Sequence, residues 1–226
     1  SEASSNRKTL VEWNWNDAEI KTNADGTIAP DLGSGSLWCT DPAATHALDN
    51  EYNGLTTGAG LNSKNALKFE NTYWWNFDEN TGYAVALKFS TAGAGEKLSL
   101  NFTNSQGNAG ATSIHGPVYW QVEYSTDGTN FTVLPESGFC ARPFVFWSAT
   151  MTYCATPGYA DRVFILPDAL RNQPEVTLLI KARTAQCIAS NTATVAEGDT
   201  GAITSDMPAN KRSPMRFGTI AVKSNK

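Results

Sequence analysis

The chain has 226 residues, of which 41% are hydrophobic, so it can bury a sizeable core without metal ions or disulfide bonds. Its formal net charge is −5 and its 17 lysines and arginines are scattered, so neither nucleic acid nor an anionic membrane is an expected partner. No apolar run approaches the roughly 20 residues that a membrane-spanning helix needs.

Short strand-like runs follow one another along the chain, each with period-two alternation or β-branched and aromatic residues between Gly, Pro, Asn or Asp. Helical turns are predicted only within 41–50 and 167–172. About ten to twelve short strands predict one all-β domain, a sandwich or barrel. The runs are TLVEWNW (9–15), GSLWCT (35–40), NALKFE (65–70), TYWWNF (72–77), GYAVALKFS (82–90), EKLSLNFTNS (96–105), YWQVEYS (119–125), FVFWSATMTY (144–153), RVFILP (162–167), EVTLLIKART (175–184), a run near 187–195 and MRFGTIAVK (215–223).

Residues 1–8 are small and polar and are predicted to form a flexible tail, and 9–226 a single domain. The aromatic residues that alternation places in the core are Trp13, Trp15, Phe89, Trp120, Tyr124 and Phe131.

The stretch YWQVEYSTDGTNFTVL (119–134) predicts a β-hairpin with two different faces. Asp127-Gly128 supplies residues that tolerate a positive φ at the turn. Trp120 lies on the face assigned to the core, whereas Tyr119, Gln121 and Glu123 lie on the other face. That second face is either simply solvated or holds a ligand.

Four cysteines, Cys39, Cys140, Cys154 and Cys187, allow three disulfide pairings, and buried free thiols are the other interpretation. If one pair is oxidised, we expect Cys140–Cys154, because both flank one aromatic segment. A structural zinc site is not expected, since there is no CxxC spacing and the chain has two histidines.

Four segments resemble the galactose-binding-domain-like jelly rolls, accessory domains in exported proteins of polysaccharide-degrading gut bacteria. GPVYWQVEYSTDGTNFTVL (116–134) carries the main likeness, and VEWNWN (11–16), FILPDALRNQPEVTLLIKA (164–182) and RFGTIAVK (216–223) follow the family order. Phe217-Gly218-Thr219 stands where the family tends to have Asp-Asn. The resemblance implies an antiparallel two-sheet jelly-roll β-sandwich that often binds carbohydrate and does not imply catalysis.

A carbohydrate site needs exposed aromatic rings for the C–H faces of sugars, with amides and carboxylates for their hydroxyls. Several aromatic residues fall out of phase with the core or lie beside loops, and polar residues accompany them. For each of them, core packing or solvation is the alternative. The candidates are Trp38, Trp74, Asn76, Tyr119, Gln121, Glu123, Trp147, Tyr153 and Tyr159.

Metal and catalytic sites are weaker candidates. Jelly rolls of this resemblance often hold a structural calcium ion, for which Asp17, Glu19 and Asp25 are the candidate carboxylates. No other cofactor is expected. Phosphate-binding, nucleophile-elbow and HExxH motifs do not occur in the sequence.

The sequence therefore predicts a non-catalytic carbohydrate-binding module of an exported or surface-anchored protein, located at the cell surface, in the periplasm or outside the cell. Its expected partner is a glycan or polysaccharide. A protein–protein scaffolding module is the alternative, and a glycoside hydrolase the third interpretation.

Overall fold

The computed structural model describes most of the predicted strands of the chain. The described residues are 7–17, 19–42, 44–49, 66–70, 83–106, 119–140, 146–147, 152–153, 160–183, 187–188, 203–204 and 215–225. For several of them, among them Cys140, Trp147, Tyr153 and Cys187, it describes the backbone alone.

Within these ranges the chain forms β-strands and one short 3₁₀ helix, Asp168–Leu170. No helix within the described parts has the length and apolarity needed to span a lipid bilayer. The strands are β1 (Lys8–Trp13), β2 (Gly35–Cys39), β3 (Thr45–Asp49), β4 (Ala66–Glu70), β5 (Ala84–Phe89), β6 (Ser99–Gln106), β7 (Tyr119–Ser125), β8 (Thr132–Val133), β9 (Phe139–Cys140), β10 (Phe146–Trp147), β11 (Thr152–Tyr153), β12 (Ala160–Ile165), β13 (Val176–Ala182), β14 (Cys187–Ile188), β15 (Ile203–Thr204) and β16 (Met215–Ser224).

Two antiparallel sheets contain the longer strands. Sheet 1 has the order β12-β6-β16-β4-β3, with β1 also paired to β16. Sheet 2 has the order β2-β5-β13-β7-β8, with β9 also paired to β7. The pairings are nested: β4 pairs with β16, β5 with β13, β6 with β12, and β7 with β8 and β9. A long hairpin folded over in this way is a jelly roll, so the predicted fold is confirmed.

The core lies between the two sheets. Alternation along β1 and β7 buries Trp13 and Trp120 completely, as the sequence predicts. Phe102 on sheet 1 and Phe139 on sheet 2 meet edge to face with ring centroids 5.8 Å apart, which joins the layers. Phe131 is only partly buried, so its assignment to the core was wrong, and the nearby Leu134 is buried instead.

The prediction of a helical turn within 41–50 was wrong at Thr45–Asp49, which forms strand β3. Its backbone pairs with β4 along five residues, and Leu48 lies opposite Leu67. This pairing supplies the backbone hydrogen bonds that a local helical turn would otherwise provide. The second predicted turn, in 167–172, is confirmed by the 3₁₀ helix, whose Leu170 is buried.

Other predicted boundaries also shift. Within the strand-like run 144–153, the structure has two short strands, β10 and β11, which pair with each other. Alternation alone does not distinguish one long strand from two short ones. At the N-terminus β1 begins at Lys8, inside the predicted tail, and the Arg7 guanidinium donates to the Ser99 hydroxyl at 2.7 Å.

The stretch Phe217-Gly218-Thr219, where the sequence departs from the resembled family, has a structural role. The register between β16 and β6 shifts between Phe217 and Ile220, which marks a β-bulge. The indole N–H of Trp15 donates to the Gly218 carbonyl at 2.7 Å. The bulge is therefore tied to the loop after β1.

Cys39 is a free thiol packed against the core. Burial disfavours the charged thiolate and raises the pKa of Cys39 to about 12. This agrees with the free-thiol interpretation for one of the four cysteines. The Cys140–Cys154 pairing stays a prediction, because Cys154 lies outside the described residues.

Candidate functional site

The outward-facing side of sheet 2 brings together four residues that the sequence singled out. On β7, Tyr119, Gln121 and Glu123 are partly exposed, whereas Trp120 and Val122 between them are fully buried. Trp38 on β2 is also partly exposed, beside the buried Leu37. We call this side, from Trp38 to Glu123, the outer face of sheet 2.

One row of residues crosses the outer face from strand to strand. Trp38 lies opposite Ala86, Ala86 opposite Leu179, and Leu179 opposite Glu123. Neighbouring strands are ~4.8 Å apart, so three spacings separate Trp38 from Glu123 by roughly 14 Å. An aromatic ring thus lies at one end of the row and a carboxylate at the other.

Small side chains form the middle of the face. Ala84 and Ala86 alternate with the inward-facing Val85 and Leu87, yet they are only 1% and 0% exposed. Trp38 and Leu179 flank Ala86 on the adjacent strands, close enough to cover a methyl group. The alanines are therefore covered by their neighbours, and the larger side chains supply the exposed part of the face.

Glu123 and Lys181 form an ion pair on this face. The Lys181 ammonium lies 3.5 Å from Glu123 Oε2, and the side chains are 23% and 13% exposed. Glu123 Oε2 is itself buried and accepts no hydrogen bond within the described structure. The ion-pair distance is too long for good hydrogen-bond geometry, so Lys181 holds this buried oxygen through charge.

Arg183 and Tyr119 occupy one end of the face. The Arg183 backbone N–H donates to the Tyr119 carbonyl at 2.8 Å, which extends the pairing of β13 with β7. The Arg183 guanidinium carbon lies 5.7 Å from the centre of the Tyr119 ring, within cation–π range. The ring is therefore partnered by a cation.

A surface pocket of about 470 Å³ lies at the opposite end of the face. Among its lining residues are Asn23, Asp25, Ser36, Lys88 and Glu175. Ser36 and Lys88 lie opposite each other on β2 and β5, one row beyond Trp38 and Ala86. The pocket thus continues the outer face toward the Asn23–Gly26 turn.

Two of the three candidate calcium carboxylates are partnered within the protein. Asp17 Oδ2 lies 2.9 Å from the Lys21 ammonium. Asp25 Oδ1 accepts from the Thr27 hydroxyl and backbone N–H, and these bonds lower the pKa of Asp25. Glu19 is exposed, and within the described residues no three metal-ligating side chains group together. A calcium ion bound by Asp17, Glu19 and Asp25 stays a prediction.

The remaining candidates lie elsewhere in the chain. Trp74, Asn76 and Tyr159 fall outside the described residues. Trp147 and Tyr153 lie on β10 and β11, the separate two-stranded sheet, where the backbone alone is described. Their roles stay predictions.

Sequence reasoning missed the residues that β13 adds to the face. Lys181 and Arg183 are two positions apart in EVTLLIKART (175–184), so they share the side opposite Ile180. That alternation was visible in the sequence. What could not be seen was that β13 lies between β5 and β7.

No protein-family model matches the chain, and no curated protein matches it. Among solved structures, it is similar to the CBM22-1 xylan-binding domain of Paenibacillus barcinonensis Xyn10C, with a TM-score of 0.45 and 7% identity over 97% of this chain and 96% of the other. It is also similar to CBM27-1 of Caldicellulosiruptor saccharolyticus in complex with mannohexaose, with a TM-score of 0.39 and 12% identity over 97% of each chain. A third is the K1 cleaved adhesin domain of Lys-gingipain from Porphyromonas gingivalis W83, with a TM-score of 0.37 and 14% identity over 86% of this chain and 100% of the other. The jelly-roll assignment of this chain rests on its own nested strand pairing.

Proposed function

We propose that this chain is a non-catalytic carbohydrate-binding module, and that a glycan lies across the outer face of sheet 2. The observation that carries the proposal is the partial exposure of Trp38 and the absence of a hydrogen bond from its indole N–H within the described structure. A tryptophan in this state offers an apolar plane and a donor to a ligand.

The polar residues of the face suit the same ligand. Sugar hydroxyls need both donors and acceptors, and an amide supplies both. The Gln121 side chain is partly exposed and makes no hydrogen bond within the described residues. A sugar that stacks on Trp38 can therefore extend toward an amide that can bind its hydroxyls.

The chemistry of the face favours binding over hydrolysis. A glycoside hydrolase of the usual kind needs two carboxyl groups on either side of the scissile bond, one of them protonated. On the described part of the face the partly buried carboxylate is Glu123, and Lys181 already pairs with it. No second carboxylate faces it across this described part of the sheet, so we assign Glu123 to orienting a glycan.

Export to the cell surface, periplasm or medium belongs to this proposal, since polysaccharides are met there. The composition supports it: charged residues make up 17% of the chain, below the roughly 25% of an average soluble domain. Asn, Thr, Ser and Gly take their place.

Trp38→Ala tests the proposed function in affinity electrophoresis through gels that contain xylan, mannan, galactan, β-glucan or polygalacturonate. We expect the unchanged protein to be retarded by at least one polymer. Loss of the aromatic plane should weaken its association at least about tenfold, as for a buried aromatic anchor.

Ile165→Ala is the matched control, because it removes a 64% exposed apolar side chain from sheet 1. It should leave retardation unchanged, and both variants should keep the unfolding temperature within a few degrees of the parent. Retardation that survives Trp38→Ala in full would contradict this location, and no retardation by any polymer would contradict the function.

A further inference from the structure

Arg183 lies at the end of the outer face and contacts Tyr119 in two ways. Its backbone is bonded to Tyr119 and its guanidinium lies over the Tyr119 ring. A Cβ atom added at Gly138 would lie 2.7 Å from Arg183 Nη1, closer than side chains tolerate. The absence of a side chain at Gly138 thus leaves the space that the guanidinium occupies.

The charge of Arg183 is not balanced locally. The side chain is exposed, and within the described structure no carboxylate lies within ion-pair distance of it. Lys181, two residues earlier on the same side, is already paired with Glu123. These three groups together carry one excess positive charge, although the chain as a whole carries −5.

We infer that Arg183 selects glycans whose sugars carry an anionic group, a carboxylate or a sulfate ester, within the carbohydrate site proposed above. A guanidinium binds either oxyanion through two parallel N–H···O bonds. The planar guanidinium presents its donors in a fixed arrangement, so less side-chain entropy is lost for each hydrogen bond formed.

The position also fits the length of a glycan chain. Tyr119 and Glu123 are separated by four residues of β7, roughly 13 Å along the strand. A saccharide that contacts Trp38 and Glu123 can therefore place a neighbouring anionic sugar at Arg183. In such a complex Trp38 would contact the apolar face of one sugar, and Arg183 would bind the anionic substituent of its neighbour.

Binding of the parent chain to three probes tests the inference: polygalacturonate, a sulfated galactan and a neutral β-1,4-galactan. We expect at least one anionic polymer to be bound more tightly than the neutral one, and this preference to fall as NaCl is raised. Preference for the uronate alone would identify a carboxylate, and preference for the sulfated polymer alone a sulfate ester; either result supports the inference.

Arg183→Gln should reduce affinity for the anionic polymer about tenfold, the effect of losing a charge-assisted hydrogen bond, and leave neutral binding unchanged. Arg171→Gln removes the same charge from a site near Glu96 and should have no effect. Equal binding of all three polymers, unaltered by Arg183→Gln, would overturn the anionic preference while glycan binding stands. Binding of none of the polymers, there or in the wider panel, would overturn the proposed function.

Discussion

Trp38 differs from Trp13 and Trp15 in what its indole does. The indole N–H of Trp13 donates to the Ile28 carbonyl at 3.1 Å, and that of Trp15 to the Gly218 carbonyl. Both rings are buried, where an unpaired N–H would be costly. The N–H of Trp38 needs no such partner because its ring still reaches solvent, so the same residue type serves the core at one position and a surface at another.

Asp127 shows how one turn residue can fix a hairpin. The Asn130 side-chain amide donates to its Oδ2 at 2.7 Å, and its Oδ1 accepts from the backbone N–H groups of Asn130 and Thr129 and from the Ser125 hydroxyl. These bonds favour the ionised form and hold the pKa of Asp127 well below its usual range. A folded-state pKa below the unfolded one means that the ionised carboxylate stabilises the fold above the unfolded pKa.

Asp127→Ala should therefore lower the urea midpoint of unfolding most at neutral pH. The difference from the parent should begin to shrink below about pH 3.9, the ordinary pKa of an aspartate, because the unfolded carboxylate then takes up a proton. It should keep shrinking until the pH passes the lower folded-state pKa, where the folded parent loses the charge as well. Asp168→Ala, which removes one exposed carboxylate outside the hairpin, controls for net charge. A difference of equal size at pH 7 and pH 3 would contradict the role of the Asp127 charge.

At the scale of the element, the loop before β2 depends on a glycine. Gly33 has a φ of +76°, and a Cβ atom there would collide with the Leu10 carbonyl of β1. Gly26, in the preceding turn, has a φ of +86° but open space around it. Both glycines therefore have a positive φ, but only Gly33 lies against the main chain of β1.

We expect Gly26→Ala to destabilise the domain by about 1–2 kcal/mol, the cost of a left-handed backbone for a residue with a Cβ. Gly33→Ala adds a collision with main-chain atoms and should cost clearly more, about 3 kcal/mol or above. Urea unfolding of both variants measures the two values. Equal values would show that the approach of Gly33 to β1 does not constrain the fold.

The sequence predicts which face each residue of a strand occupies better than it predicts which strands lie beside that strand in the sheet. Alternation in 119–125 correctly separates Trp120 from Tyr119 and Gln121, because that pattern is local. The row from Trp38 to Glu123 combines four strands that are distant along the chain, and their order depends on the fold. Lys181 and Arg183 belong to the site because the fold places β13 between β5 and β7.

At the scale of the whole molecule, the nested hairpin decides which surfaces exist. Pairing β5 with β13 and β13 with β7 brings Ala86, Leu179 and Glu123 into one row, and β2 adds Trp38 at the edge. The resemblance carried by GPVYWQVEYSTDGTNFTVL (116–134) and three further segments predicted this class of fold. The use of the sheet 2 face depends on individual side chains, and no fold determines those.

The most direct measurement follows the backbone amides and the Trp38 indole of ¹⁵N-labelled protein by NMR. The titrant is a short oligosaccharide prepared from the polymer that retards the chain most strongly. We expect the resonances of the Trp38 indole N–H and of the amides of β2, β5, β13 and β7 to shift, while those of β6 and β12 on sheet 1 stay in place. Shifts confined to sheet 1, or an unchanged Trp38 indole at saturation, would contradict glycan binding on the outer face of sheet 2.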